Sequence, residues 1–482
     1  MGQKSLKVNT VYNIIKTIAS VIFPLITFPY VSRVLLPGNI GKVNYAASVV
    51  SYFTLIAALG MTTYAVRECA RARSDRENLD HVASELFSIN LCTTLISYIL
   101  LAVTLIAFRK FDAYRSLIVI QATAILFTTL GADWLNSAME DFKYITLRYV
   151  VFQLLSLAAM FTFVKTQDDY VKYALITVIA SSGANVVNIF YRRKFCRVRF
   201  TTDMHLEKHI RPILAFFAMV LSVTIFANAD TTMLGLMCGD YQVGIYSTAH
   251  KINHLVSQVV QSIIIVLMPR LSVYFDNNDF ENANKLLRKL LGFNITLGLP
   301  CVVGLIMVAS DAVIAFAGPE YAESAVVMRI MILSFAFSLV GGSFLGNGVL
   351  LPMGKEKYYM IVCLITAGCN IILNYIFIPF FQASAAAATT AFNGFLIFIL
   401  LLFRVDKRIR IERIGQVFLS PVLGCAAIVG VCLALRGVPN LVVRLLASVG
   451  SSVAVYGIIL LAMKNEFAME IIGAVRRKLK RA

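Results

Sequence analysis

About fourteen separable apolar spans divide this chain, and they leave its backbone few choices of structure. They lie at roughly 10–33, 43–66, 84–107, 116–138, 146–165, 172–191, 212–237, 243–268, 290–315, 325–351, 357–379, 384–404, 416–436 and 441–463. Each is close to the ~20 residues that a helix needs to cross ~30 Å of hydrocarbon. Open strands would leave N–H and C=O groups unpaired in lipid, so helices are expected throughout. The expected fold class is an all-α integral membrane protein of about 14 transmembrane helices.

Charge supports that class and orients it. Only 15% of the 482 residues are charged, where a soluble chain carries about 25%. No gap between spans exceeds about 25 residues, so no extramembrane catalytic domain is expected. The net charge of +18 would suit a nucleic-acid binder if taken alone. Its placement argues otherwise: about 31 Lys and Arg fall in gaps on one side and about 7 on the other. The richest gap holds Arg192, Arg193, Lys194, Arg197, Arg199, Lys208 and Arg211. This positive-inside pattern puts both termini in the cytoplasm of a cell inner membrane and excludes nucleic acid as a partner. The first apolar stretch follows Lys4 and Lys7 and contains Lys16, so it is expected to stay as a membrane helix. The nine cysteines form no CxxC, and no disulfide, metal or other cofactor is expected.

A faint internal repeat organises the spans. A slip of about 203 positions sets Gly41 on Gly244, Asn44 on Ser247, Ala46 on Ala249 and Arg67 on Arg270. At a slip of about 214, Lys143 and Tyr144 fall on Lys357 and Tyr358. Six spans per repeat is an even number, so the repeats should run parallel. The expected division is a lobe at 1–205, a second at 206–415, and two added helices with a basic tail at 416–482. In that tail Ile471, Ile472, Val475 and Leu479 share a face among basic residues, a pattern suited to an anionic leaflet.

Polar residues inside spans are the candidates for function, because charge in hydrocarbon is costly. Lys16 shares a face of the first span with Asn13, Ser20 and Thr27, ahead of the helix-bending Pro24 and Pro29. It either belongs to a moving gate or snorkels to the headgroups. In the eighth span Ser247, Lys251, His254, Gln258 and Gln261 recur at helical steps. Such a stripe lines a cavity that could hold an anionic group, or bonds to neighbouring helices. The sixth span carries a similar line of Thr177, Ser181, Asn185 and Asn188. Asp133 and Asp230 could pair with Lys251 or Arg329, or bind a coupling H⁺ or Na⁺. Arg33, Arg67, Arg270 and Arg329 lie near span ends, where anchoring competes with substrate contact. His205/His209 and His250/His254 have zinc-compatible spacing but no third ligand nearby.

Several segments resemble a known family. FPYVSRVLLPGNIGKVNYAASVVSYF (28–53) with Ala65-Val66-Arg67-Glu68 is similar to the opening of bacterial polysaccharide repeat-unit flippases of the Wzx type. These belong to the MOP superfamily, with the MATE drug exporters and the lipid II flippases. ADWLNSAMEDFKYITLR (132–148), NADTTMLG (228–235), GIYSTAHKI (244–252) and MPRLS (268–272) resemble further segments of that family. The resemblance implies two six-helix lobes about a cationic cavity and outward flipping of an undecaprenyl-diphosphate-linked oligosaccharide. It marks Arg33, Arg67, Asp133, Asp230 and Lys251 as residues to watch.

The expectation is a non-enzymatic flippase working by alternating access. Its partners would be the lipid-linked substrate, membrane lipids and glycan polymerase or assembly proteins, and it would act as a monomer. Substrate contacts are expected from Lys16, Arg33, Arg67, Lys251, His254, Gln258 and Arg329. A MATE-type cation-coupled drug exporter and a lipid II flippase remain the alternatives. The exporter would want an acidic interior, whereas the buried charges here lean towards Lys, Arg and His.

Overall fold

The computed structural model describes residues 6–470, and these contain helices and no strand. Ile471, Ile472, Val475 and Leu479, the apolar face read in the tail, lie outside the described residues. Helices α1 to α8 are Leu6–Ala58, Met61–Ala72, Arg76–Ala107, Arg115–Gly131, Trp134–Ala138, Phe142–Phe163, Tyr170–Val178 and Ala184–Tyr191. Helices α9 to α15 are Leu206–Met237, Asp240–Asp276, Phe280–Ala317, Ser324–Ser338, Glu356–Leu402, Ile414–Ala434 and Leu441–Ala462.

Eleven helical stretches among the described residues are long and apolar enough to cross a membrane. Two of them are broken in the middle. In α1 the break is at Leu36 (φ 62°, ψ 168°), where the following Pro37 disfavours helical backbone. In α13 it is at Gln382 (φ 50°, ψ −130°), three residues after Pro379. Dividing both and adding the 37-residue α10 is compatible with fourteen crossings. The protein is thus a multi-pass, all-α membrane protein. Its outward faces are greasy: Leu95, Ile99, Val103 and Ile106 of α3 recur at helical steps and are exposed.

The chain divides into two compact units, Met1–Gly244 and Ile245–Ala482. In the first, α1 packs on α3, α4, α6 and α9. Its core gathers Met61, Tyr64, Leu86, Trp134, Phe195 and Ile213. Helix α9, which the sequence reading places at the start of the second lobe, therefore packs within the first compact unit. In the second unit α12 packs on α13, and α14 and α15 pack on α11. Asp279 caps α11, accepting from the Asn282 side chain (2.7 Å) and backbone N–H (3.1 Å). Those two donors hold its carboxyl below the usual carboxylate range.

One close crossing involves two of the glycines that the sequence offset pairs. A Cβ added to Gly41 would lie 1.8 Å from the Asp240 carbonyl oxygen, and one added to Gly244 would lie 2.0 Å from that of Pro37. The offset of about 203 that relates the two glycines also relates Pro37 to Asp240. Both contacts are backbone against backbone, so no side chain can give way. Gly244→Ala is expected to cost about 1–3 kcal/mol through forced overpacking, read as a lower thermal unfolding midpoint. Gly368→Ala, which meets nothing within 4 Å, should leave the midpoint unchanged or raise it.

Candidate functional site

The first compact unit contains a polar cavity of about 340 Å³, and its walls explain why α4 must end where it does. Ala132 closes α4 in the left-handed region (φ 47°, ψ 50°), its amide still bonded to Thr128 and Thr129. That turn carries Asp133 off the helix and onto the cavity wall. Arg148, on α6, is its ion-pair partner. The arginine side chain is only 6% exposed, against 36% for the aspartate. Its Nη1 donates to the Ala184 carbonyl (3.2 Å) and its guanidinium lies 5.3 Å from the Tyr144 ring centroid. Its Nε is buried without a hydrogen-bond partner.

An amide chain fixes the aspartate from the other side. Asn136 Nδ2 donates to Asp133 Oδ1 (3.1 Å) and to Asn188 Oδ1 (2.6 Å), and Asn188 donates to the Gly131 carbonyl (2.7 Å). Interhelical bonds of this kind contribute roughly 0.6–2 kcal/mol each in a membrane. Asn185 and Ser181 of the sixth span line the cavity, as do Asn90 and Thr128. Lys16 reaches it from α1, its Nζ 5.8 Å from the Tyr149 ring centroid. The site thus holds two cations against one carboxylate, with amides and hydroxyls around them. A polar anion would find hydrogen-bond donors and net positive charge there.

The sequence reading leaves Asp133 open to pairing with Lys251 or Arg329 or to binding a coupling ion; in the structure Arg148, which that reading did not consider, is paired with it. Arg148 escaped because it opens the fifth span, where a cation is read as an ordinary anchor. The available signal was its position in 132–148, one turn beyond Tyr144 and fifteen residues from Asp133. Arg33 is exposed and donates to the Pro29 carbonyl of its own helix (2.5 Å). It lies about 25 Å along α1 from Lys16, so the cavity does not unite the two. Arg67 is exposed beside Glu68 (3.0 Å), lies over the Tyr64 and Phe216 rings and is not in the cavity wall. Asp230 is buried in α9 near Tyr52. The neighbouring Thr232 hydroxyl reaches Ser48 (3.0 Å).

In the second unit the α10 stripe keeps its helical face. His254 and Gln258 are exposed and bonded to each other (2.7 Å), and Lys251 is half-buried a turn away. His250 stacks on His254 (5.9 Å between centroids). Arg329 of α12 is tied to α11, donating to Ser310 Oγ (2.9 Å) and the Ile306 carbonyl (3.3 Å). His205 and His209 converge on Glu85, a buried carboxylate that the sequence reading did not single out.

The all-α fold, with a polar cavity inside its first unit, has a MOP-type architecture. The lipid II flippase MurJ in its inward closed conformation superposes with a TM-score of 0.73 at 15% identity, covering 96% of this chain and 99% of that one. An outward-facing multidrug MATE transporter gives 0.51 at 14% identity, over 86% and 94%. The family model described as polysaccharide biosynthesis protein matches residues 6–275, and the chain belongs to that family. A second model, MatE, matches residues 215–376. Among curated relatives, the "Putative O-antigen transporter" of Shigella dysenteriae is 22% identical over 80% of this chain and 96% of its own length. The capsular polysaccharide biosynthesis protein CapF of Staphylococcus aureus is 21% identical over 80% and 95%.

Proposed function

We propose that this protein flips a lipid-linked oligosaccharide repeat unit from the cytoplasmic to the outer leaflet of a bacterial inner membrane by alternating access. The observation that carries the reading is the family match over residues 6–275, joined to relatives named for O-antigen transport and capsule synthesis. The chemistry supports it. A sugar diphosphate on a lipid has an anionic, hydrated head, which the Lys16 and Arg148 cavity and the Lys251 stripe could receive. Moving negative charge outward across an inside-negative membrane is favourable by ~2.3 kcal/mol per charge per 100 mV.

In this reading the lobes are 1–205 and 206–415 with 416–482 appended, and both termini are cytoplasmic. Arg33, Arg67, His254, Gln258 and Arg329 are further substrate contacts. Asp230 is the candidate for a coupling H⁺ or Na⁺, and Asp133 serves as an ion-pair partner. The protein transports as a monomer rather than catalysing, and hands its cargo to polymerase or assembly proteins. The reading is tested by deletion in the native host, assaying surface polysaccharide and the sidedness of its precursor. Loss of polymer with precursor held on the cytoplasmic leaflet is expected. Normal polysaccharide with new sensitivity to cationic drugs would favour an exporter instead.

A further inference from the structure

The segment joining α8 to α9 is a strap with a defined register on α3. The N–H groups of Arg197, Arg199 and Thr201 donate to Asp80 Oδ1 (2.9 Å), Ser84 Oγ (3.1 Å) and Ser88 Oγ (2.8 Å). Alternate residues of the strap thus meet every fourth residue of the helix. The match is geometric: two residues of extended chain advance about 6.6 Å and four residues of helix about 6.0 Å. The strap ends on a charged node, where His205 Nδ1 (2.6 Å) and His209 Nε2 (3.1 Å) donate to Glu85. Tyr64 then donates its hydroxyl proton to His209 Nδ1 (2.7 Å).

Fixing the backbone sorts the side chains. Phe195 and Cys196 are buried and Val198 packs against the same core. Arg193, Lys194, Arg197 and Arg199 are exposed, and so is Phe200. Many basic side chains elsewhere are matched by carboxylates: Arg71 by Glu68, Arg73 by Glu140, Lys285 by Glu281 and Arg288 by Glu466. The four strap cations have no carboxylate partner among the described residues. Their aromatic contacts are with Phe190, Tyr191 and Phe195.

We infer that the strap is a docking surface for anionic phospholipid headgroups of the leaflet beside it. A row of unmatched cations with an exposed aromatic side chain suits a headgroup layer, where phosphates meet the cations and the ring enters the acyl boundary. The hydrogen-bond ladder fixes the backbone that carries Arg197 and Arg199, so that part of the ordering is complete before lipid arrives. The inference rests on the membrane location of the chain and needs no transport step.

The test uses the full-length protein in nanodiscs of phosphatidylcholine doped with phosphatidylglycerol, with retained lipid counted by native mass spectrometry. Combining Arg193→Gln, Lys194→Gln, Arg197→Gln and Arg199→Gln should lower phosphatidylglycerol retention at least about tenfold, from an expected ~5-fold per charge. Ser84→Ala with Ser88→Ala, which keeps every charge, should lose about threefold through release of the strap. Should the quadruple variant misfold, Arg197→Gln and Arg199→Gln singly give the graded series. Unchanged retention in folded charge variants overturns the inference, and so does unchanged retention in the ladder variant. Displacement of phosphatidylglycerol by an isoprenyl diphosphate at much lower concentration would assign the strap to the substrate instead. None of these readouts involves flipping, so failure here leaves the proposed function standing.

Discussion

Asp133→Ala is expected to destabilise the first compact unit by about 3–5 kcal/mol, because it leaves a buried guanidinium without its counter-charge. Arg148 is almost wholly enclosed, and it also donates to the Ala184 carbonyl. The thermal midpoint of the purified protein should fall accordingly. Asp133→Asn combined with Arg148→Met removes both charges and keeps the volume, so most of that loss should be recovered. Export of surface glycan separates structure from function in that double variant. If Arg148 serves only to neutralise Asp133, a stable double variant exports normally. If its charge receives the substrate, export stays lost despite restored stability. A midpoint unaffected by Asp133→Ala would contradict the pairing itself.

Lys16→Ala and Lys251→Ala should each abolish surface glycan, a loss of at least about tenfold, while protein level and membrane insertion stay normal. A charge-assisted contact to phosphate contributes roughly 1.5–3 kcal/mol, and that is the source of the magnitude. Among the described residues Lys16 makes no ion pair and lies over Tyr149, so its loss should cost little stability. Quantitative blotting of the membrane fraction beside glycan staining checks both halves of the expectation. Normal glycan in both variants would remove the argument that these two cations receive the substrate.

The elements most legible in the sequence were those that depend on solvent. Apolar runs of helical length report the bilayer directly, and the eighth-span stripe stayed on one face because helical period alone sets it. Gly41 and Gly244, which an offset of about 203 relates in the sequence, both sit where an added Cβ would meet backbone. Charge partners were harder to read. Asp133 and Arg148 belong to different helices, and only the left-handed turn at Ala132 aims the carboxylate across to α6. No local pattern marks Glu85: His81 lies one turn away on the same helix, but His205 and His209 are more than a hundred residues distant.

The sequence by itself determined the solvent, the secondary structure and the polar faces, since hydrophobicity and periodicity are properties of neighbouring residues. Only the tertiary structure decided which charges meet, that α9 packs in the first unit, and that a basic linker is a laddered strap. Those outcomes depend on side chains brought together from distant parts of the chain. For the charge pairs the selection lies in the high cost of leaving a buried polar group unpaired, a cost that no local pattern records.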